Sequence, residues 1–330
     1  MPTWLSDTCT PGAAIAIIER GQPTQGRGFG VQKASADSPN SQTPITPSTV
    51  FEAASLSKPL FACAVVRLFA QGLLDPDAPL SDLVREPLIS DEPRLAQITA
   101  RRVLSHTTGL PNWRWDKPAD FWQWTQPISL QFSPGERWRY SGEGFVYLQR
   151  AVEQLTGQPL EDYMQQHWLQ PLGMTQTSYT WQPTFETAYA CGHDPDGKPL
   201  PKEQPSEANA AASLHTTVLD YARLVQWMLS PTTEDEVSAV WRSQMLTPQV
   251  TIESDTAWGL GWGLKQINAG WVFWQWGDNG GYKHLVAGSR EQGIGLVVLT
   301  NGEKGYQVWS HVLQNTLDPQ SRIFTWLNSI

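Results

Sequence analysis

The strongest strand text in this chain lies at its two ends, and that placement constrains the fold more than any other feature. Residues 293–300 carry Ile294, Leu296, Val297, Val298 and Leu299 in an unbroken apolar run. Residues 12–18 have the same character near the N-terminus, and residues 26–31 can pair with them through a turn near Arg20, Gly21, Gln22 and Pro23. Further strand text covers residues 258–264 and 271–276. Between the ends the periodicity is helical: from Ser55 to about Gly72, then residues 99–106, 144–155, 160–168 and 220–229. Residues 308–317 read as a closing helix. Residues 34–47 and 180–209 are polar, proline-rich loop text. The expected fold is α+β, an antiparallel sheet built from both termini and flanked by helices, with an inserted, mostly helical lobe. We expect one domain over 1–330, with a sheet lobe of about 1–75 and 215–330 and a helical lobe of about 76–214.

Composition narrows the partners. The formal net charge is −9 and the sequence pI about 5.2, which argues against nucleic acid and anionic membranes. Cys9, Cys63 and Cys191 give no disulfide framework. No stretch reaches membrane-spanning length, and the first residues lack a basic region followed by an apolar core, so a cytoplasmic location is expected. The 17 tryptophans include three clusters: Trp113, Trp115, Trp122 and Trp124; Trp258 and Trp262; Trp271, Trp274 and Trp276. They suit core and lobe-interface packing, or an aromatic-walled cleft for an apolar or ring-bearing substrate.

The chemistry begins at Ser55-Leu56-Ser57-Lys58, just before the apolar run from Pro59 to Phe69. On a helix, Ser55 and Lys58 lie one turn apart on one face. A lysine whose pKa is lowered can take the serine proton. At the helix start, backbone amides and the dipole favour negative charge beside Ser55. Tyr140-Ser141-Gly142 sits on a loop before a helix. Tyr140 can carry a proton if positive charge from Lys58 depresses its pKa; alternatively it is a packed loop aromatic. Gln275-Trp276-Gly277-Asp278 closes a strand, where glycine permits close backbone approach and an edge amide can meet an oxyanion. The run Asp278-Asn279-Gly280-Gly281 is also hairpin-turn text.

Taken in this order, the segments resemble the penicillin-recognising serine hydrolases, specifically their class C β-lactamase-like branch. That branch includes D-alanyl-D-alanine carboxypeptidases, D-aminopeptidases and family VIII-type esterases. Its pattern is Ser-x-x-Lys, Tyr-x-Asn, then Lys or His-x-Gly. Phe51 to Ala54, Leu104 to Pro111, Phe132 to Gly135, Pro11 to Ala14 and Thr300 to Gly302 also look like family text. The resemblance spans almost the whole chain. It implies Ser55 as nucleophile, Lys58 and Tyr140 as proton relay, and an oxyanion hole from the Ser55 and Asp278 amides. Residues Gly142, Gln275, Trp276 and Gly277 would line the substrate. No metal or cofactor is implied. Two positions depart from the pattern: Gly142 replaces the asparagine that helps hold a substrate amide, and Gln275 replaces the cation that helps position a substrate carboxylate. Some esterases of this fold carry Trp-Gly in the third motif.

The expected function is acyl-enzyme hydrolysis of a small ester or amide, foremost as a carboxylesterase. A β-lactamase or D-amino-acid peptidase is the alternative within enzymes, and a non-catalytic binding protein the alternative outside them. The expected partner is a small ester, amide or β-lactam. His106 reads as structural, and His284 or Lys283 as groups that could approach the site. His167, His193, His215 and His311 lack metal-ligand spacing.

Overall fold

The computed structural model describes residues 3–22, 24–34, 43–84, 92–114, 128–230, 236–320 and 322–327. Trp115, Trp122, Trp124 and most of the 34–47 loop lie outside them. In chain order the principal elements are α1 (Thr3–Asp7), β1 (Gly12–Glu19), β2 (Gln25–Gly30), β3 (Val50–Ala54), α2 (Ser57–Ala70), α3 (Ala100–Leu104), α4 (Gly142–Thr156) and α5 (Leu160–Met164). They continue as β4 (Leu214–Thr217), α6 (Val218–Leu229), α7 (Glu236–Met245), β5 (Val250–Glu253), β6 (Thr256–Trp258), β7 (Gly263–Ile267), β8 (Gly270–Asp278), β9 (Lys283–Ser289), β10 (Ile294–Thr300), α8 (Gly305–Gln314) and α9 (Arg322–Leu327).

The main sheet has eight strands in the order β2-β1-β10-β9-β8-β7-β6-β5. Every neighbouring pair is antiparallel, and β1 lies on β10, joining the two ends of the chain. Period-two alternation divides its side chains between two cores. Ala14, Ala16, Val286, Val297, Leu299 and Phe273 face the larger core, shared with α2 and α6. Ala13, Leu285, Ala287, Leu296, Val298 and Trp274 face a second core, shared with α8 and α9. Gln275 and Gly277 have the parity of Phe273, so β8 presents them toward α2.

Two local expectations are corrected. The stretch 258–264 is not one strand: Trp258 ends β6 and Gly263 begins β7, with the Gly259 amide donating to the Trp262 carbonyl at 2.8 Å. Gly261 sits at φ +83°, and a Cβ there would lie 2.3 Å from the Ala62 Cβ, so this turn packs directly on α2. The helix over 99–106 is shorter than its text: it starts after the Thr99 cap and ends at Leu104. His106, at φ +56°, lies beyond it.

Candidate active site

Ser55 follows β3 through Ala54, a non-glycine residue at φ +52°. That conformation costs about 1–2 kcal/mol and must be held by its surroundings. Four bonds hold it. The Ser57 hydroxyl donates to the Ala54 carbonyl at 2.5 Å and accepts from the Leu214 amide at 3.0 Å. The Tyr221 and Tyr179 hydroxyls donate to the Leu56 and Ser57 carbonyls, each at 2.8 Å. Ser55 therefore stands on a turn just ahead of α2, fixed from the core side.

Lys58, in the first turn of α2, is 1% exposed. Its Nζ lies 2.9 Å from Ser55 Oγ and donates to the Ala211 carbonyl at 2.7 Å. The rings of Tyr140, Phe145 and Trp113 surround it, with centroids 4.8, 5.8 and 5.9 Å away. Burial holds the Lys58 pKa well below the ordinary lysine value, so the amine is stabilised in its neutral form.

Tyr140 brings its hydroxyl to the same place. Burial pushes its pKa up, against the lowering effect of hydrogen bonds with Ser55 and Gln275. The expectation that Lys58 lends positive charge to depress Tyr140 is corrected: desolvation drives both groups toward their neutral forms. The Tyr140 ring is held between His106, stacked at 4.3 Å, and Trp276, at 4.6 Å. His106 Nδ1 accepts the Ser141 amide at 3.0 Å, and burial pushes its pKa down. It supports the tyrosine as a neutral imidazole.

The third motif arrives on β8. Strand β7 pairs only with Gly270–Trp274, whereas β9 pairs as far as Asp278, so Gln275 to Asp278 have a strand partner on one side only. The Trp276 carbonyl accepts from Gln275 Nε2 at 3.2 Å, and the Asp278 amide shares its parity. Gln275 is fully buried, and its Nε2 donates to the Tyr140 hydroxyl at 2.7 Å. Its Oε1 has no partner among the described residues. A Cβ on Gly277 would lie 2.6 Å from the Ala53 carbonyl oxygen, which is how β8 comes so close to the serine turn.

Lys283 and His284, expected as groups that could approach the site, do not join this group. Lys283 Nζ pairs with Asp278 at 2.5 Å and Glu303 at 2.6 Å. His284 is fully buried; its Nε2 donates to the Glu52 carbonyl at 2.7 Å and its Nδ1 accepts the Thr300 amide at 3.1 Å. Burial lowers its pKa to about 4, so it is a neutral clamp within the sheet.

The structure adds groups that the sequence did not single out. Asn279 Nδ2 donates to Glu52 Oε1 at 2.5 Å and to the Ala212 carbonyl at 3.3 Å, tying the β8–β9 turn to β3 and to the segment that receives Lys58. Burial raises the Glu52 pKa to about 7. Below α4, the Arg114 backbone amide and guanidinium bind the Glu143 carboxylate, with both side chains at most 2% exposed. Replacing Glu143 with alanine removes the carboxylate that this buried guanidinium binds. The expected loss is about 3–5 kcal/mol, measured by urea denaturation. A loss under about 1 kcal/mol would show that the pair does not hold this loop.

Among the described residues there is no cluster of metal-ligating side chains and no helix long and apolar enough to cross a membrane.

Comparison with known proteins agrees with this architecture. Protein flp of Staphylococcus aureus (strain COL) is 23% identical over 313 residues, covering 90% of this chain. The chain spans only 60% of that relative's length. The octameric penicillin-binding protein homologue from Pyrococcus abyssi superposes with a TM-score of 0.76 at 24% identity, over 95% of this chain and 75% of that one. A D-alanine carboxypeptidase, AmpC, from Burkholderia cenocepacia gives a TM-score of 0.77 at 20% identity, over 94% and 96%. The family model described as Beta-lactamase matches residues 6–317. The chain thus belongs to the beta-lactamase family and has the fold of the serine penicillin-recognising hydrolases.

Proposed function

We propose that this chain hydrolyses a small amide, as a peptidase or β-lactamase of this family, through an acyl-enzyme on Ser55. The observation that carries the serine chemistry is the Lys58 Nζ at 2.9 Å from Ser55 Oγ, in an environment that favours the neutral amine. Lys58 takes the Ser55 proton as Oγ attacks the carbonyl carbon. The Tyr140 hydroxyl, bonded to Ser55 and Gln275, relays a proton to the leaving nitrogen. The amides of Ser55 and Asp278 receive the oxyanion. Water then attacks the ester, with the proton returned through the same pair. The amide preference draws on the kinship with penicillin-binding proteins and a D-alanine carboxypeptidase.

A second reading, carboxylesterase, is favoured by Gly142 and Gln275. The third motif offers a neutral amide where a cation would meet a substrate carboxylate, and Lys283 is already paired with two carboxylates. An ester needs less help in expelling its leaving group than an amide does.

The test sets a chromogenic cephalosporin, a D-alanyl peptide amide and p-nitrophenyl butyrate side by side, with mass spectrometry of the Ser55 adduct. Turnover of either amide with an adduct on Ser55 is the expected result. Ester turnover alone selects the second reading. No turnover and no adduct on any substrate would remove the basis for both.

A further inference from the structure

The missing side chain at Gly142 does not leave a gap. A Cβ built there would lie 2.7 Å from Cη2 and 2.8 Å from Cζ2 of Trp113, and 2.9 Å from the Asn112 carbonyl oxygen. Ordinary carbon contacts begin near 3.5 Å. Trp113 therefore occupies the room that a second-motif side chain would need.

The indole is held there from both sides. The Asn112 carbonyl accepts the Gly142 and Glu143 amides at 2.9 and 3.0 Å, and Asn112 Oδ1 accepts the Gly142 amide at 3.0 Å. On the other side, Arg114 is bound by the buried Glu143 carboxylate. Residues 112–114 are thus clamped to the first turn of α4. The Trp113 ring packs partly against the main core, and its centroid is 5.9 Å from Lys58 Nζ. That nitrogen is 2.9 Å from Ser55 Oγ. Lys58 Nζ thus has both the ring and Ser55 Oγ as neighbours.

We infer that Trp113 forms the acyl-side wall of this site and selects substrates with an apolar, preferably aromatic, acyl group. The inference rests on Ser55 being the nucleophile. An asparagine at position 142 would offer two donors and an acceptor to an acyl-side amide. The indole offers a flat apolar face, which favours ring substituents at offset-stacking distance. Gly142 and Trp113 form one steric unit: the absent side chain makes the wall possible.

The experiment compares kcat/KM for p-nitrophenyl phenylacetate and p-nitrophenyl acetate, with fluorophosphonate labelling of Ser55 as an independent readout of the nucleophile. Wild type favours phenylacetate. Trp113→Ala lowers the phenylacetate-to-acetate ratio by about tenfold or more, the scale of discrimination lost from an apolar pocket. Trp113→Phe keeps the ratio within about threefold because a ring remains, whereas Trp113→Leu, which keeps bulk without a ring, lowers it. Gly142→Ala costs about tenfold more phenylacetate turnover in the presence of Trp113 than in the Trp113→Leu background, as expected of residues in contact. Wild type labelled at Ser55, with the same ratio in the Leu and Phe variants, would overturn the wall while leaving the serine chemistry intact. Wild type that neither labels nor turns over any ester would overturn both.

Discussion

Replacing Ser55 with alanine lowers turnover of every substrate by about 10⁴-fold or more and abolishes the covalent adduct, with little change in thermal stability. The two halves of this expectation have separate physical sources. In the proposed mechanism Oγ is the atom that bonds to the acyl group, and neither neighbour replaces it. Lys58 is committed to the Ala211 carbonyl behind the serine, and the Tyr140 hydroxyl to Gln275. Stability survives because the strained turn is not held by Oγ. The bonds from Ser57, Tyr179 and Tyr221 fix the backbone at residues 54, 56 and 57. Ser55 itself is half-buried, so losing one oxygen opens no large cavity. The measurement is a progress curve at high enzyme concentration, with intact-mass analysis and a melting curve on the same sample. Residual turnover above about one per cent would place the nucleophile elsewhere.

The turn that positions Ser55 was only half legible in the sequence. The Ser-x-x-Lys spacing before an apolar run identifies the pair, because one helical turn brings i and i+3 together. The strands that frame the turn, β3 and β4, were not legible. All five residues of β3 and all four of β4 are buried, so neither shows the alternation that marks a strand with one wet face. The end strands β1 and β10 were legible because they combine apolar runs with turn residues at their limits. Helix α7 was missed because its text mixes polar and apolar residues without a clean stripe.

At the site, the order of Ser55, Lys58 and Tyr140 was readable, but the electrostatic state of the tyrosine was not. Charge proximity suggested a depressed pKa, whereas the enclosure that raises it depends on His106 and Trp276, which meet the ring from distant segments. The Ala211 carbonyl that receives Lys58 leaves no trace in the sequence, since any residue type supplies one. The same holds for Trp113: nothing local shows that it fills the space at Gly142, 29 positions on in the numbering. The grouping of Ser55, Lys58, Tyr140 and Gln275 could be anticipated from side-chain type. Contacts made by backbone groups and by tertiary enclosure could not.

Lys58→Met is expected to lower kcat by about 10²–10⁴-fold, the usual worth of a positioned general base, while raising stability at neutral pH. Methionine is close in length and unbranched, so it can follow the path of the lysine stem among Tyr140, Phe145 and Trp113. The stability change follows from linkage. Burial holds the folded-state pKa well below 10.5, while the unfolded lysine keeps its ordinary value. Between those two values the unfolded chain binds more protons than the folded one. Wild-type stability therefore rises with pH across the window, reaching its full value above the unfolded pKa and falling as pH drops toward the folded pKa. Methionine removes that dependence. It also removes the donor to the Ala211 carbonyl, which offsets the gain by about 1 kcal/mol. Urea denaturation at pH 7 and pH 10 measures both effects: the variant should gain most at pH 7, and its stability should change less between the two. The pH–rate profile of wild type supplies the kinetic counterpart, since activity should persist through neutrality and fail on the acid side, where Lys58 takes up a proton and can no longer accept one from Ser55. A variant that kept its kcat, or was less stable than wild type at pH 7 with an unchanged pH slope, would mean that Lys58 is neither the base nor held neutral by its surroundings.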